Sequence, residues 1–151
     1  MHRHALALRR GAEGRVIRAD KLHLTLVFLG AVARKRMAEL DAIARAAAAH
    51  SFDLTLDAAG LWARQRVAWL APRAVPPALR ELVRALETAL RAAHFPIEDR
   101  AWRAHVTLLR DARAVATLPA PGLTWQAREF VLVESAGGAY RVINRWPLRP
   151  I

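Results

Sequence analysis

KLHLTLVFLG at residues 21–30 and AHVTLLR at residues 104–110 share one pattern, a His-x-Thr triplet set in an apolar run. The two triplets lie 82 residues apart, about half of the 151-residue chain. Composition alone predicts roughly 0.24 such triplets in a chain with this His and Thr content. Two copies, both with apolar flanks, therefore indicate one site assembled from two matching half-sites.

The alternation of polar and apolar residues in each run predicts a β-strand, because side chains on a strand alternate between its two faces. His23 and Thr25 then share one face, while Leu24 points to the other, toward the core. His105 and Thr107 share a face in the same way. Each strand thus presents an imidazole and a hydroxyl about 7 Å apart, and two facing strands would hold two of each.

Two imidazoles and two hydroxyls suit transfer at phosphorus without a metal. One neutral imidazole takes a proton from water, and one imidazolium gives a proton to the leaving oxygen. An imidazole with its ordinary pKa of about 6.5 exists in both forms near neutral pH. The threonine hydroxyls can donate hydrogen bonds to the non-bridging phosphate oxygens, where negative charge is spread in the transition state.

Arg110 is the candidate substrate-binding residue, because an arginine adds charge and forked hydrogen bonds to a phosphate. It follows His105 by five residues, so strand parity places it on the opposite face. Its use in the site therefore requires the strand to end or bulge near Leu109. The alternative is a surface arginine with no part in the chemistry.

A metal site is the competing use of paired histidines. A hydrolytic zinc site takes three protein ligands, and the sequence contains no His-x-His and no HExxH. His50 and His94 lie near predicted helix ends, and the chain has no cysteine. We therefore expect neither a metal nor a cofactor.

Composition and charge narrow the class of protein. The 54% hydrophobic and 25% charged content is typical of a globular chain, and the length suggests one domain. The net charge of +11 favours polyanionic partners, RNA or DNA foremost, although heavy arginine use also follows from a GC-rich genome. No apolar run approaches 18 residues and no signal peptide is recognisable, so we expect a cytoplasmic protein without membrane contact.

Strands and helices alternate along the chain. The periodicity predicts helices over residues 33–50 and about 77–93, and a strand over Leu22–Leu29 that ends at Gly30. The other predicted features are strands over 52–58, 66–70, 104–109, 130–133 and 139–146, a turn around Gly60, a loop with Pro119, Pro121 and Gly122, and a hairpin turn at Gly137-Gly138.

KLHLTLVFLG and WRAHVTLLRDA closely resemble the paired motifs of the 2H phosphoesterase superfamily. The nearest branch is the bacterial RNA 2′,3′-cyclic phosphodiesterases, also called 2′-5′ RNA ligase-like proteins. FDLTLDAAGLW, RVAWL, LPAPG and the closing RWPL look like the same branch, so the resemblance covers about residues 16–148.

The resemblance implies an α+β fold with two pseudo-symmetric lobes, whose antiparallel sheets surround a central groove and whose helices lie on the outer faces. The chain would be a single bilobal domain over residues 1–151. Lobe one would span about 16–75 and lobe two about 76–148, with exchange of strands between them allowed.

The resemblance also implies a reaction: metal-independent opening of the terminal 2′,3′-cyclic phosphate of RNA to a 2′-phosphate. His23, Thr25, His105 and Thr107 would be the catalytic quartet, and Arg110 would contact the substrate. The first motif's histidine usually has the acid role and the second motif's histidine the base role, but a symmetric site lets these roles exchange. The partner would be RNA with a cyclic phosphate end, tRNA fragments among the candidates, bound by a monomer.

Two departures from the family stand out. Relatives usually have proline before the second histidine, where this chain has Ala104. Relatives also begin with an apolar strand and a helix before the first motif. Here MHRHALALRR is interpreted as the remnant of that helix, and the first family strand is expected to be missing. An absent strand would leave an open sheet edge and a weaker core.

Two other functions stay open on the residues alone. The chain could act on a small cyclic nucleotide or a 2′-5′-linked oligonucleotide, or it could be an RNA-binding module whose activity has decayed. Trp62, Trp102 and Tyr140 are candidates for stacking on a base, with a place in the core as the alternative for each.

Overall fold

The structure of the protein is a computed structural model that describes residues 14–47, 49–113, 120 and 122–151. Within it the chain forms two compact units. Unit 1 comprises the described parts of Met1–Thr25, Leu54–Ala74 and Arg103–Trp125, and unit 2 comprises the described parts of Leu26–Asp53, Val75–Trp102 and Gln126–Ile151. Both contain antiparallel strands, and α-helices lie in unit 2, so the predicted α+β class is confirmed. The single bilobal domain with a boundary near residue 75 stays a prediction.

Unit 1 is built on a four-stranded antiparallel sheet in the order β1-β5-β4-β3. Its strands are β1 (Arg15–Val16), β3 (Ala58–Trp62), β4 (Val67–Ala71) and β5 (Val106–Arg110). One face of the central strands is fully buried, because Leu70, Val106 and Leu108 have 0% exposure. The other face carries polar side chains that are accessible to solvent, because successive side chains of a strand point to opposite faces. β2 (Phe52–Leu56) and β6 (Leu123–Ala127) form a separate two-stranded pair.

The pairing of β4 with β5 contains a β-bulge. Trp69 is opposite Thr107, but the next residue back, Ala68, is opposite Leu109, so Leu108 is an extra residue on β5. Leu108 and Leu109 are both completely buried, although they are consecutive in a strand. The bulge therefore shifts the side-chain alternation of β5 by one residue beyond Leu108.

Unit 2 contains helices α1 (Met37–Ala46) and α2 (Pro77–Ala92) and a long hairpin of β7 (Glu129–Ala136) and β8 (Ala139–Pro147). Helix α2 begins with proline at its first position, where the missing N–H costs nothing. It buries a stripe at helical spacing, made of Leu79, Leu82, Val83, Leu86 and Leu90. Gly137 and Gly138 both have positive φ in the hairpin turn, as the Gly-Gly pair predicts.

Helix α2 ends in a Schellman motif, which is closed by two backbone hydrogen bonds. The Phe95 N–H donates to the Leu90 carbonyl at 2.9 Å, and the His94 N–H donates to the Arg91 carbonyl at 2.9 Å. His94 occupies the left-handed position with φ of 57°. Arg36 adds to the cap: its guanidinium donates to the Ala93 carbonyl at 2.6 Å and stacks 3.7 Å above the ring of Phe95.

Asp41 of α1 holds the hairpin to that helix. One carboxylate oxygen accepts hydrogen bonds from Asn144 Nδ2 at 2.6 Å and Trp146 Nε1 at 2.9 Å. The other accepts one from Arg45 Nε at 2.7 Å. The hydrogen bond from Arg45, aided by those from Trp146 and Asn144, lowers the pKa of the Asp41 carboxyl. The ionised form is thus the one that the fold favours.

Three sequence predictions need correction. Leu22–Leu29 is not a regular strand, because only Leu24 is bridged and the neighbouring edge of β5 is already shared with β1. Gly60 lies in the middle of β3 rather than in a turn. The strand needs a glycine at this position because the ring of Trp69 occupies the space that a side chain would take. Strand β6 was not expected after the proline-containing loop.

Some predictions fall where the structure gives no description. The interpretation of MHRHALALRR and the missing first strand concern residues outside the described ranges, and so do Pro119 and Pro121. Among the described residues, no helix is both long enough and apolar enough to cross a membrane.

Replacing His94 with glycine should stabilise the protein. A non-glycine residue pays a steric cost in the left-handed conformation, so His94→Gly is expected to raise the free energy of unfolding by about 0.5–1 kcal/mol. Urea unfolding measures it. Ala93→Gly, at a position with φ of −87°, is the control and should not stabilise. An unchanged or lower midpoint for His94→Gly would contradict the cap geometry.

Asp41 should make stability depend on pH in the acid range. A lowered pKa in the folded state means stabilisation above the unfolded value of about 3.9, lost as the pH falls through the lower folded pKa. Asp41→Asn should unfold at lower urea concentration near neutral pH and lose less stability than wild type between about pH 5 and pH 2. Asp53→Asn, at an exposed position of β2, is the matched control and should keep the wild-type acid profile.

Candidate active site

The two His-x-Thr segments lie side by side in unit 1. Leu24 forms an antiparallel bridge with Val106, on the edge of β5 that also pairs with β1. In antiparallel pairing this register sets His23 opposite Thr107 and Thr25 opposite His105. Residues directly opposite each other share a face of the sheet. All four side chains predicted from the sequence are therefore brought together on one face.

The bridge register also sets the spacing within this quartet. Directly opposite side chains have Cβ atoms about 4.5–5.5 Å apart, and diagonal neighbours are about 7–8 Å apart. Each histidine thus has a hydroxyl from the other segment beside it, and the two imidazoles occupy one diagonal. A tetrahedral phosphate fits between two groups at this separation, within reach of both hydroxyls.

Each imidazole is oriented by a hydrogen bond to its own strand. His23 Nδ1 lies 2.7 Å from the Lys21 carbonyl, and His105 Nδ1 lies 2.8 Å from the Arg103 carbonyl. A carbonyl oxygen only accepts, so Nδ1 carries the proton in both rings. Neutral imidazole then has its lone pair on Nε2. The same two-residue contact in both segments gives the half-sites matching geometry.

Burial follows the alternation that the sequence predicts. His23 and Thr25 are exposed, while His105 and Thr107 are half-buried. Between the last two, Val106 is completely buried. The quartet therefore stands on an apolar support and remains accessible to a ligand.

Two tryptophans lie on the same face: Trp62, one of the candidates for stacking on a base, and Trp69, which sequence reasoning did not single out. Trp69 is directly opposite Thr107 across the β4–β5 ladder. The ring of Trp62 meets the His105 imidazole edge to face, with centroids 4.6 Å apart, and lies 5.6 Å from the ring of Trp69. These aromatic rings restrict the orientation of the His105 imidazole.

Gly60 makes room for this aromatic pair. It is opposite Trp69 in the β3–β4 ladder, and a Cβ there would lie 2.7 Å from Cη2 and 2.8 Å from Cε2 of the indole. Among the described residues, Trp69 Nε1 is buried without a hydrogen-bond partner, so packing alone holds the ring. A glycine inside an alternating strand signals such a close approach, and this was the clue available in the sequence.

A role for Arg110 in the site requires strand β5 to end or bulge near Leu109, and the structure has a bulge there. Beyond the extra residue Leu108, Arg110 pairs with Val67, which is on the same face of β4 as Trp69. The register thus places Arg110 on the face that carries Thr107, at an exposed position. Parity without the bulge would have sent its side chain to the opposite face.

The remaining candidates from the sequence are two aromatic residues and two histidines. Trp102 and Tyr140 are assigned to unit 2, and Tyr140 is 40% exposed on the hairpin. His50 contacts the Pro150 carbonyl, and His94 caps α2. Within the described residues no three His, Cys, Asp or Glu side chains are grouped so that they could hold a metal ion.

Comparison with known proteins identifies the family of this chain. Residues 2–69 match the family described as LigT like Phosphoesterase. The chain is 40% identical over 142 residues to the RNA 2′,3′-cyclic phosphodiesterase of Escherichia coli strain K12, covering 89% of this chain and 80% of that protein. The chain belongs to the LigT-like phosphoesterase family, within the 2H superfamily. It is therefore an enzyme of the phosphoesterase class.

Solved structures with the same fold include one of E. coli LigT and one of a Thermus thermophilus protein. The crystal structure of E. coli LigT complexed with 3′-AMP matches with a TM-score of 0.86 and 35% identity, covering 97% of this chain and 90% of that one. The TT0787 protein of Thermus thermophilus matches with a TM-score of 0.77 and 25% identity, covering 97% and 92%. The antiparallel sheets and the two α-helices of the described residues are thus those of the LigT-like fold.

Gly60→Ala should disturb the site through Trp69. The added methyl group displaces the Trp69 indole, which is expected to lower the free energy of unfolding by about 1–3 kcal/mol. It should also lower phosphoesterase activity, because the displaced indole disturbs the contact between Trp62 and His105. Urea unfolding and a turnover assay measure the two effects. The control is Gly60→Ala combined with Trp69→Phe, whose smaller ring should recover part of the lost stability. Additive losses in the double variant would argue against the close approach.

Proposed function

We propose that this phosphoesterase hydrolyses the terminal 2′,3′-cyclic phosphate of RNA to a 2′-phosphate, without a metal, by acid–base catalysis between His23 and His105. The observation that carries the proposal is the Leu24–Val106 register, which brings both imidazoles and both threonine hydroxyls to one face. The reaction agrees with the name of the E. coli relative.

The chemical step needs one proton acceptor and one proton donor. His105 accepts a proton from water through Nε2 as the water oxygen bonds to phosphorus. The bond between phosphorus and O3′ breaks, and protonated His23 gives its proton to O3′. The products are a 2′-phosphate and a free 3′-hydroxyl. Because the half-sites match, exchanged roles would follow the same geometry.

The threonines and the arginine stabilise charge on the phosphate. Thr25 and Thr107 donate hydrogen bonds to the two non-bridging oxygens, where negative charge grows in the transition state. Arg110, brought to this face by the bulge, adds a charge-assisted contact. A 3′-AMP complex of E. coli LigT is consistent with a site for a nucleotide phosphate. We also propose that the enzyme is a cytoplasmic monomer whose substrates include tRNA fragments.

The test is hydrolysis of a short RNA ending in a 2′,3′-cyclic phosphate, with excess EDTA present and with the product isomer identified. His23→Ala and His105→Ala are each expected to lower kcat/KM by at least about 100-fold, because each removes one acid–base group. Thr25→Val and Thr107→Val, which keep the shape, should each cost at least about tenfold. His94→Gly removes a histidine from unit 2 and is the matched control, with wild-type activity expected.

Several outcomes would contradict the proposal. A requirement for added metal would remove the acid–base mechanism, and retention of activity in both histidine variants would remove the quartet. An inactive wild type that binds RNA would favour a binding module. Activity confined to small cyclic nucleotides or to 2′-5′-linked oligonucleotides would change the substrate.

A further inference from the structure

The sheet of unit 1 carries a second row of polar side chains beside the quartet. One row runs across the strands through His23, Thr107 and Trp69. The next row begins with Arg15 on β1, which pairs with Arg110 on β5. Side chains two positions apart on a strand are about 7 Å apart. The second row therefore lies about one such spacing from Thr107, on the side away from His105.

The β3–β4 turn brings two more cations to the same end of the sheet. The turn is closed by a hydrogen bond from the Arg66 N–H to the Ala63 carbonyl, and both Arg64 and Arg66 are exposed. Arg66 precedes Val67, the partner of Arg110. The cationic row is defined as Arg15, Arg64, Arg66 and Arg110. It lies at one end of the sheet, with Arg15 and Arg110 on the face that holds the quartet and Arg64 and Arg66 in the adjoining turn.

Little negative charge opposes the cationic row. Among the described residues, Arg64, Arg66 and Arg110 have no carboxylate within salt-bridge distance. Arg15 approaches Asp111 at 3.6 Å, but both side chains are more than 60% exposed, so the pair is weak and solvated. A phosphate can therefore compete for these guanidinium groups.

The charge of the chain is unevenly distributed. The described residues of unit 1 carry nine Arg and Lys against three Asp and no Glu, whereas those of unit 2 carry twelve against nine. In unit 2 many arginines are paired, as Arg45 is with Asp41 and Arg141 with Glu134. Arginine-rich composition alone does not explain why acidic residues are scarce in the unit that holds the quartet.

We infer that Arg15, Arg64 and Arg66 of the cationic row bind the phosphodiester on the 5′ side of the terminal nucleotide, while Arg110 contacts the cyclic phosphate. The enzyme would thereby select RNA chains over nucleoside 2′,3′-cyclic phosphates. This inference rests on the proposed function, since it places the cyclic phosphate at the quartet. The row lies one side-chain step away, comparable with the separation of successive phosphates along a strand. Arginine forks match phosphate oxygens, and the contact reads no base.

The experiment compares two substrates, uridine 2′,3′-cyclic phosphate and a tetranucleotide that ends in the same group. Wild type should have a kcat/KM on the order of tenfold higher for the tetranucleotide, because one charge-assisted contact is worth about that factor. Added salt should reduce this preference. The logarithm of the ratio of the two kcat/KM values should fall with the logarithm of the salt concentration, with a slope of about 0.7 for each phosphate contact.

The variants locate the contact. In Arg64→Gln/Arg66→Gln the ratio of the two kcat/KM values should fall toward one and lose its salt dependence, and Arg15→Gln should lower the ratio in part. The matched control, Arg80→Gln/Arg84→Gln, removes equal charge from the exposed face of helix α2 and should keep the wild-type ratio. An unchanged ratio in Arg64→Gln/Arg66→Gln, or an equal fall in the control, would overturn the inference.

Failure of the proposed function would be recognised separately. A wild type that hydrolyses neither substrate contradicts the proposed reaction. The surface is then tested by the Kd for a fluorescein-labelled tetranucleotide ending in a 3′-phosphate. Weaker binding by Arg64→Gln/Arg66→Gln than by the control supports the row, and equal binding by both overturns it.

Discussion

The antiparallel pairing of Leu24 with Val106 is the contact on which the site depends. It joins two segments that are 82 residues apart and sets His23 beside Thr107 and Thr25 beside His105. A slip of one residue would move a histidine and a threonine to the buried face, because strand side chains alternate. Leu24, which is half-buried, opposes such a slip, because its apolar side chain would turn to the open face.

Two irregularities of the sheet shape the proposed phosphate site. The extra residue Leu108 turns Arg110 onto the open face while keeping two consecutive leucines in the core. Because Gly60 has no side chain, the Trp69 ring can lie across β3. Regular strands would supply the four quartet groups but neither the arginine nor the aromatic support of His105. The departures from ideal geometry therefore lie where the chemistry needs them.

Unit 2 is stabilised by hydrogen bonds among its own elements. Examples are the hydrogen bonds that Asp41 accepts from Asn144 and Trp146, and the Schellman motif at His94. Many of its charges are neutralised in pairs. In unit 1, by contrast, Arg64, Arg66 and Arg110 have no carboxylate within salt-bridge distance among the described residues. The same arginine-rich composition thus serves stability in one unit and favours recognition of a polyanion in the other.

The sequence by itself determined helix α2, the Gly137-Gly138 hairpin and the repeated His-x-Thr pattern, because periodicity and turn chemistry are local properties. Its resemblance to the 2H phosphoesterases implied the α+β class. The sequence also indicated that Arg110 needs the strand to end or bulge near Leu109. Only the tertiary structure decided where that bulge lies, that Leu22–Leu29 pairs at a single residue, and that Gly60 sits inside a strand beneath Trp69. These features depend on contacts between distant residues, and local preferences do not encode which partner a strand edge or a glycine will meet.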